Sequence, residues 1–150
     1  MIKNERGFTL LEVLIAVALV SIVAVAFLSG LATASKAIFV ADELATAESL
    51  ARSQMEYVKN QPYDPADPYV AGPPPTGGEV TYDKITGIPD GYTIWSFNHA
   101  GVIVTDIIGV PWDTQNNQAE YTDAGLQRIM LVVKHHDREA MTLEDYKVDR

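Results

Sequence analysis

The run from Phe8 to Ala34, FTLLEVLIAVALVSIVAVAFLSGLATA, contains one charged residue, Glu12. A helix this apolar on every side must be surrounded by lipid or by other apolar helices. Val13 to Ala32 alone crosses about 30 Å of hydrocarbon at about 1.5 Å per residue. Lys3 and Arg6 precede the run, and basic residues ahead of a first apolar helix predict a cytoplasmic N-terminus with the remainder exported. A secretory signal peptide would have a shorter apolar core and a small-residue cleavage site, for which Ala32-Thr33-Ala34 is a candidate. A plain signal anchor explains the length and the basic flank but leaves Glu12 unexplained.

An acidic side chain in such surroundings costs a few kcal/mol, so it calls for a partner or a role. Glu12 lies one helical turn beyond Phe8, close to the amino terminus that a cut after Gly7 would create. An ammonium and a carboxylate brought together at low dielectric each remove the cost of burying the other. The order Arg6-Gly7-Phe8-Thr9-Leu10-Leu11-Glu12, followed by an apolar helix, resembles the prepilin motif of type IV pilins and type II secretion pseudopilins. The resemblance covers about the first quarter of the chain. It implies cleavage after Gly7 by a membrane-embedded prepilin peptidase and N-methylation of the new terminal residue, Phe8. It further implies that Glu12 pairs with the terminal amine of a neighbouring subunit during assembly. Many major pilins carry a proline within the apolar segment, whereas here the first proline is Pro62. Ser29-Gly30 is the one weak point of the helix, since an interior glycine costs roughly 1 kcal/mol relative to alanine. The run Leu11-Glu12-Val13-Leu14-Ile15-Ala16 resembles minor pilins and minor pseudopilins more than abundant major pilins.

Past Lys36 the apolar positions Val40, Leu44, Ala47, Ala51, Met55 and Val58 keep helical spacing, which predicts an amphipathic continuation lying against a globular domain. Met55 and Tyr57 are expected in its core. Gln61-Pro62 ends the helix, because proline disfavours helical geometry in the residue before it. The stretch QPYDPADPYVAGPPPTGG reads as an extended connection, with Tyr63 and Tyr69 expected to pack onto the helix. Strands are expected at Glu79–Tyr82, Gly91–Phe97, Val102–Ile108 and Leu126–His135, with 111–123 polar and irregular. In Leu126–His135 the residues Ile129, Leu131 and Val133 share one face, and Met130 and Val132 take the other. Residues 136–139 turn the chain and Ala140–Val148 returns as a hairpin partner. Met141 and Leu143 fall out of phase with Tyr146 and Val148, which predicts a bulge near Glu144-Asp145.

Composition narrows the function. The net charge of −9 disfavours binding along a phosphate backbone, which needs clustered Lys and Arg. The chain has no cysteine, so disulfides and thiolate metal sites are excluded. His135 and His136 are adjacent in a strand and are expected to face opposite ways, as part of a solvated turn and not as a metal site. Asp113, Asn116, Asn117 and Asp123, with Glu120, offer the oxygen ligands that calcium takes, but without the glycine and terminal glutamate of an EF-hand loop. A calcium loop is therefore the minor reading, and no metal or other cofactor is expected. No GxSxG, HExxH, Walker or dinucleotide fingerprint occurs, and no catalytic residues are expected.

These readings combine into an α+β chain, a long N-terminal helix packed on a small antiparallel sheet. The expected divisions are a cleaved leader at 1–7, a transmembrane and filament-core helix at 8–35, an amphipathic helix at 36–61, a Pro/Gly-rich connection at 62–78 and a β-sheet part at 79–150. The expected function is a minor pilin-like structural subunit of a type IV pilus-like filament, not an enzyme. The expected partners are other pilin or pseudopilin subunits, the prepilin peptidase, an assembly platform in the inner membrane and, before assembly, membrane lipid, with no nucleic acid. The chain would be a single-pass membrane protein that ends in a surface or periplasmic filament. The alternatives are a type II secretion pseudopilin, a competence-type DNA-uptake pilin, and a signal-anchored binding module that never polymerises.

Overall fold

The computed structural model describes residues 9–65, 78–116, 118, 119 and 123–150. One helix, α1 (Leu10–Asn60), precedes the strands β1 (Val80–Tyr82), β2 (Tyr92–Phe97), β3 (Ile103–Val104), β4 (Ile107–Asp113), β5 (Gln118–Ala119), β6 (Leu126–His135) and β7 (Arg138–Val148). The chain divides into two compact units, Met1–Ala41 and Asp42–Arg150. The expected leader, Tyr69 and most of the Pro/Gly-rich connection lie outside the described residues.

In the first unit every described residue of α1 is exposed, as an apolar helix without its surroundings must be. Two of its small polar side chains, Ser21 and Thr33, are satisfied within the helix. Ser21 Oγ donates to the Val17 carbonyl at 2.7 Å, and Thr33 Oγ1 to the Ser29 carbonyl at 3.0 Å. Neither hydroxyl therefore needs water, which suits a lipid-facing segment. α1 runs without a break through Gly30.

In the second unit α1 packs on the sheet through Ala47, Ala51, Met55 and Val58, which share a core with Val80, Tyr82, Ile94, Ile107, Ile129, Leu131 and Val133. The helical spacing of these four residues places them on one face, and the two alanines let the backbone approach the sheet closely. Val40 and Leu44, which continue the same spacing, are exposed instead, as is Tyr57. Tyr57 follows Met55 by two residues and so falls on another side of the helix. The face includes one polar residue that hydrophobic periodicity cannot reveal, the fully buried Gln54. Its amide donates to the Asp83 carbonyl at 3.0 Å and accepts from the Ile85 N–H at 2.9 Å. Two turns on, Gln61 repeats this with both backbone groups of Asp83, at 3.2 and 3.0 Å. The two glutamines serve the backbone after β1 as a neighbouring strand would, so it can lie against the helix without orphaned polar groups.

The sheet is antiparallel and centred on β6. β7 pairs with β6 along its whole length, while on the other edge β4 takes Gln127–Ile129 and β2 takes Leu131–His135. Ser96 closes the junction where β2 and β4 part. Its buried hydroxyl donates to the Asp106 carbonyl at 2.9 Å and accepts from the Ile108 N–H at 2.8 Å. The expected single strand Val102–Ile108 is accordingly two. β3 belongs to a hairpin with β2, the chain bends at Thr105-Asp106, and β4 then passes between β1 and β6. β4 also continues through Pro111 and Trp112 to Asp113, where irregular chain was expected. Pro111 and Trp112 are buried, and Arg128 lies 3.4 Å from the centroid of the Trp112 ring.

β6 has its expected limits and faces, with Ile129, Leu131 and Val133 toward α1. The expected bulge near Glu144-Asp145 is absent, and the register shifts at Val133/Lys134, where Ala140 is the extra residue of β7. Asp145 and Lys147 continue the inward face of Met141 and Leu143. They can do so because each meets a partner at the end of α1: Lys59 pairs with Asp145, and Lys147 reaches the last helical carbonyls. Opposite charge at the helix end, and not a bulge, resolves the phase of β7. The chain is thus α+β and pilin-like: one long N-terminal helix packed on an antiparallel sheet.

Candidate processing and assembly site

Thr9 caps the start of α1. Its carbonyl accepts the N–H groups of Glu12 and Val13 at 3.0 and 3.2 Å, and its Oγ1 accepts the Glu12 N–H at 3.3 Å. The spacing Thr-x-x-Glu is that of a capping box, a local signal distinct from the apolar run that follows it. Glu12 is the third residue of the helix, where a carboxylate interacts favourably with the positive end of the helix dipole. Thr9 therefore fixes the helix start just inside the bond expected to be cut, and places Glu12 within the first turn. Gly7 and Phe8 lie outside the described residues.

Glu12 is flanked by the exposed Leu10, Leu11, Val13 and Leu14. When this apolar surface is covered, the carboxylate is desolvated with it, a cost that a cation delivered to the same place, or uptake of a proton, offsets. A new amino terminus on an adjacent helix is such a cation. The site can hold and orient charge.

The remaining candidate ligands fall into separate groups. Asp113 and Asn116 close the turn after β4, with the Gln115 N–H donating to Asp113 Oδ1 at 2.7 Å and the Asn116 amide donating to Oδ2. Asp123 belongs to another network, accepting from Tyr63 Oη at 2.5 Å and from the Gly125 N–H at 2.8 Å on Oδ1. Its Oδ2 accepts from the buried Gln127 amide, which also donates to the Asp64 carbonyl at 2.8 Å and accepts from Tyr82 Oη at 2.6 Å. Burial, reinforced by the Asp123 carboxylate, raises the Tyr63 phenol well above its ordinary range. Burial likewise pushes Tyr82 up to about 12. Tyr63 thus ties the chain after α1 to the loop before β6, instead of packing on the helix through its ring alone. Asn117 and Glu120 lie outside the described residues. Among the described residues no three His, Cys, Asp or Glu side chains are grouped to hold a metal ion.

The two histidines do not point apart as strand alternation predicts. Their ring centroids are 4.1 Å apart, edge to face. β6 ends at His135, and His136 and Asp137 both adopt positive φ, 47° and 63°, the geometry of a tight hairpin turn that reverses the alternation.

Residues 2–28 match the family model for the prokaryotic N-terminal methylation motif. This is the motif of type IV pilins and pseudopilins, which are structural proteins and not an enzyme family. It implies processing by a prepilin peptidase and assembly with other pilin subunits, and the apolar N-terminal helix fits a single-pass, membrane-anchored pilin. No curated protein and no solved structure matches the chain.

Proposed function

We propose that this chain is a minor pilin-like structural subunit of a type IV pilus-like filament, and not an enzyme. A prepilin peptidase cuts between Gly7 and Phe8 on the cytoplasmic side, Phe8 is N-methylated, and the assembly platform of the inner membrane moves the subunit from lipid into a bundle of α1 helices. The observation that carries this reading is the coincidence of the methylation motif with a helix capped by Thr9 whose apolar run holds its one carboxylate, Glu12, in the first turn. A signal anchor needs the length of such a helix but has no use for the carboxylate.

Within the bundle, Glu12 meets the Phe8 amine of a neighbouring subunit, and the pairing favours one stagger of helices over others. Glu12→Gln keeps the size and removes the charge. It should leave insertion and trimming intact while lowering the ratio of filament-associated to membrane-associated subunit, compared at equal amounts of processed protein. An unchanged ratio would overturn the pairing.

A further inference from the structure

Among the described residues β7 is the longest strand, and β6 is its one partner. The Asp149 N–H donates to the Gly125 carbonyl at 3.0 Å, so residue 149 turns its backbone groups toward the β6 side. Successive residues of an antiparallel pair alternate in this respect. Lys147, Asp145 and Leu143 therefore bond toward β6, while Val148, Tyr146, Glu144 and Thr142 turn their N–H and carbonyl groups to the open edge. A cleft of about 420 Å³, lined by Tyr146, Val148, Asn60 and Tyr63 among others, leaves room beside the end of the strand. An edge of this length is a template for a strand of another chain. The other outer strands are short, with three residues in β1 and two each in β3 and β5. β7 thus offers the longest continuous open edge among the described residues. Two copies of the chain would pair most fully β7 to β7, antiparallel about a two-fold axis.

That edge is not left bare. Asp145 Oδ1 accepts the Tyr146 N–H at 2.7 Å, so a carboxylate takes the donor that an incoming strand would use. The other oxygen of Asp145 is paired with Lys59, from the last turn of α1. Glu144 adds a second negative charge, its Oε1 accepting from Tyr146 Oη at 3.0 Å. An arriving strand would bring a carbonyl oxygen against these carboxylates. Toward the start of β7 the register shift at Val133/Lys134 makes a bulge. Bulges and inward-pointing charges, here Asp145 and Lys147, are both means by which strand edges are kept from pairing.

We propose that Asp145 guards the β7 edge: its carboxylate, oriented by Lys59, occupies the Tyr146 N–H and keeps two copies of the chain from joining β7 to β7. Contacts between copies are thereby left to other surfaces. The guard is distinct from the stabilising effect of the ion pair. Removing Lys59 breaks the pair but leaves a carboxylate on the N–H, whereas removing Asp145 opens the edge. It does not depend on the filament reading.

The test is sedimentation of the full chain in detergent with micelles in excess, where contacts through the apolar part of α1 are common to every variant. Lys59→Met/Asp145→Leu replaces the ion pair by apolar side chains of similar size, an exchange that often leaves stability unchanged. It also frees the Tyr146 N–H. This variant should self-associate at least about tenfold more tightly than wild type, through the cross-strand hydrogen bonds gained. Lys59→Met alone loses the same ion pair but keeps the carboxylate, and should associate as wild type does. Adding Glu144→Pro to the double variant removes a donor from the open edge only, and should return association to the wild-type level. In wild type the amides of Glu144 and Val148 should exchange freely with deuterium, read residue by residue by NMR, and in the associated double variant they should be protected. Equal association of wild type and the double variant, or equal gains in Lys59→Met, would overturn the guard. So would protected Glu144 and Val148 amides in wild type, a result that needs no variant to fold.

Discussion

The ammonium of Lys147 donates to the carbonyl of Val58 at 2.5 Å, joining the last strand to the last turn of the long helix. It also donates to the Gln61 carbonyl at 2.6 Å. The closing carbonyls of a helix have no partners of their own, and a cation there also answers the negative end of the helix dipole. Burial draws the Lys147 ammonium below the usual lysine range.

Replacing Lys147 removes this cap, leaving the Val58 carbonyl with the Gln61 N–H at 3.2 Å alone and the Gln61 carbonyl without its ammonium. Lys147→Met, which keeps most of the volume, should destabilise the second unit by about 2–3 kcal/mol, the usual cost of losing charge-assisted hydrogen bonds to buried groups. Thermal unfolding of the full chain in detergent, followed by near-ultraviolet circular dichroism, checks this. A variant as stable as wild type would mean that water serves those carbonyls equally well.

The neighbouring pair of Lys59 and Asp145 gives a pH dependence of defined sign. Burial pushes the Asp145 carboxyl up, but hydrogen bonds from Lys59 and the Tyr146 N–H, with the charge of Lys59, outweigh it and hold the group below its ordinary value of 3.8. The folded state therefore binds this proton less readily than the unfolded chain. The pair's contribution is fully present above the ordinary carboxyl range and is lost as pH falls through and below it. Asp145→Asn should be less stable than wild type at neutral pH, and the gap should narrow in acid. Unfolding curves for both proteins across that range test the sign, and a gap that widens in acid would contradict it.

Two glycines should respond in opposite ways. A Cβ on Gly109 would lie 2.7 Å from both Gln127 Oε1 and Tyr82 Cε2, whereas one on Gly30 would meet nothing within 4 Å. Gly109→Ala should cost about 1–3 kcal/mol by forcing apart the hydrogen-bonded Tyr82 and Gln127. Gly30→Ala should stabilise the isolated helix by up to about 1 kcal/mol. Chemical denaturation reads the first and helical signal in micelles the second.

Much of this was legible because hydrophobic period reports which faces are buried. The alternation of Ile129, Leu131 and Val133 gave β6 its limits and its inward face, and the spacing of Ala47, Ala51, Met55 and Val58 gave the packed side of α1. The same signal failed where polar groups perform the burial. Gln54 sits in the core because it serves the backbone of Asp83 and Ile85, and Asp145 and Lys147 point inward because the helix end supplies their partners. The break between β3 and β4 depends on the Ser96 hydroxyl, and a lone serine carries no such mark in a sequence. At the N-terminus the period found the helix, but the Thr-x-x-Glu spacing was needed to find its cap at Thr9.

The central claim is that the chain is trimmed and built into a filament through its N-terminal helix. The most direct test is to shear filaments from cells that express the chain with its own prepilin peptidase, purify them, and determine the mass and amino terminus of this subunit. The account predicts a chain that begins at Phe8, carries a methyl group on its terminal nitrogen and is recovered with the filaments. A chain that begins at Met1, or after Ala34, or that is trimmed at Gly7 yet stays wholly in the membrane fraction, would contradict it.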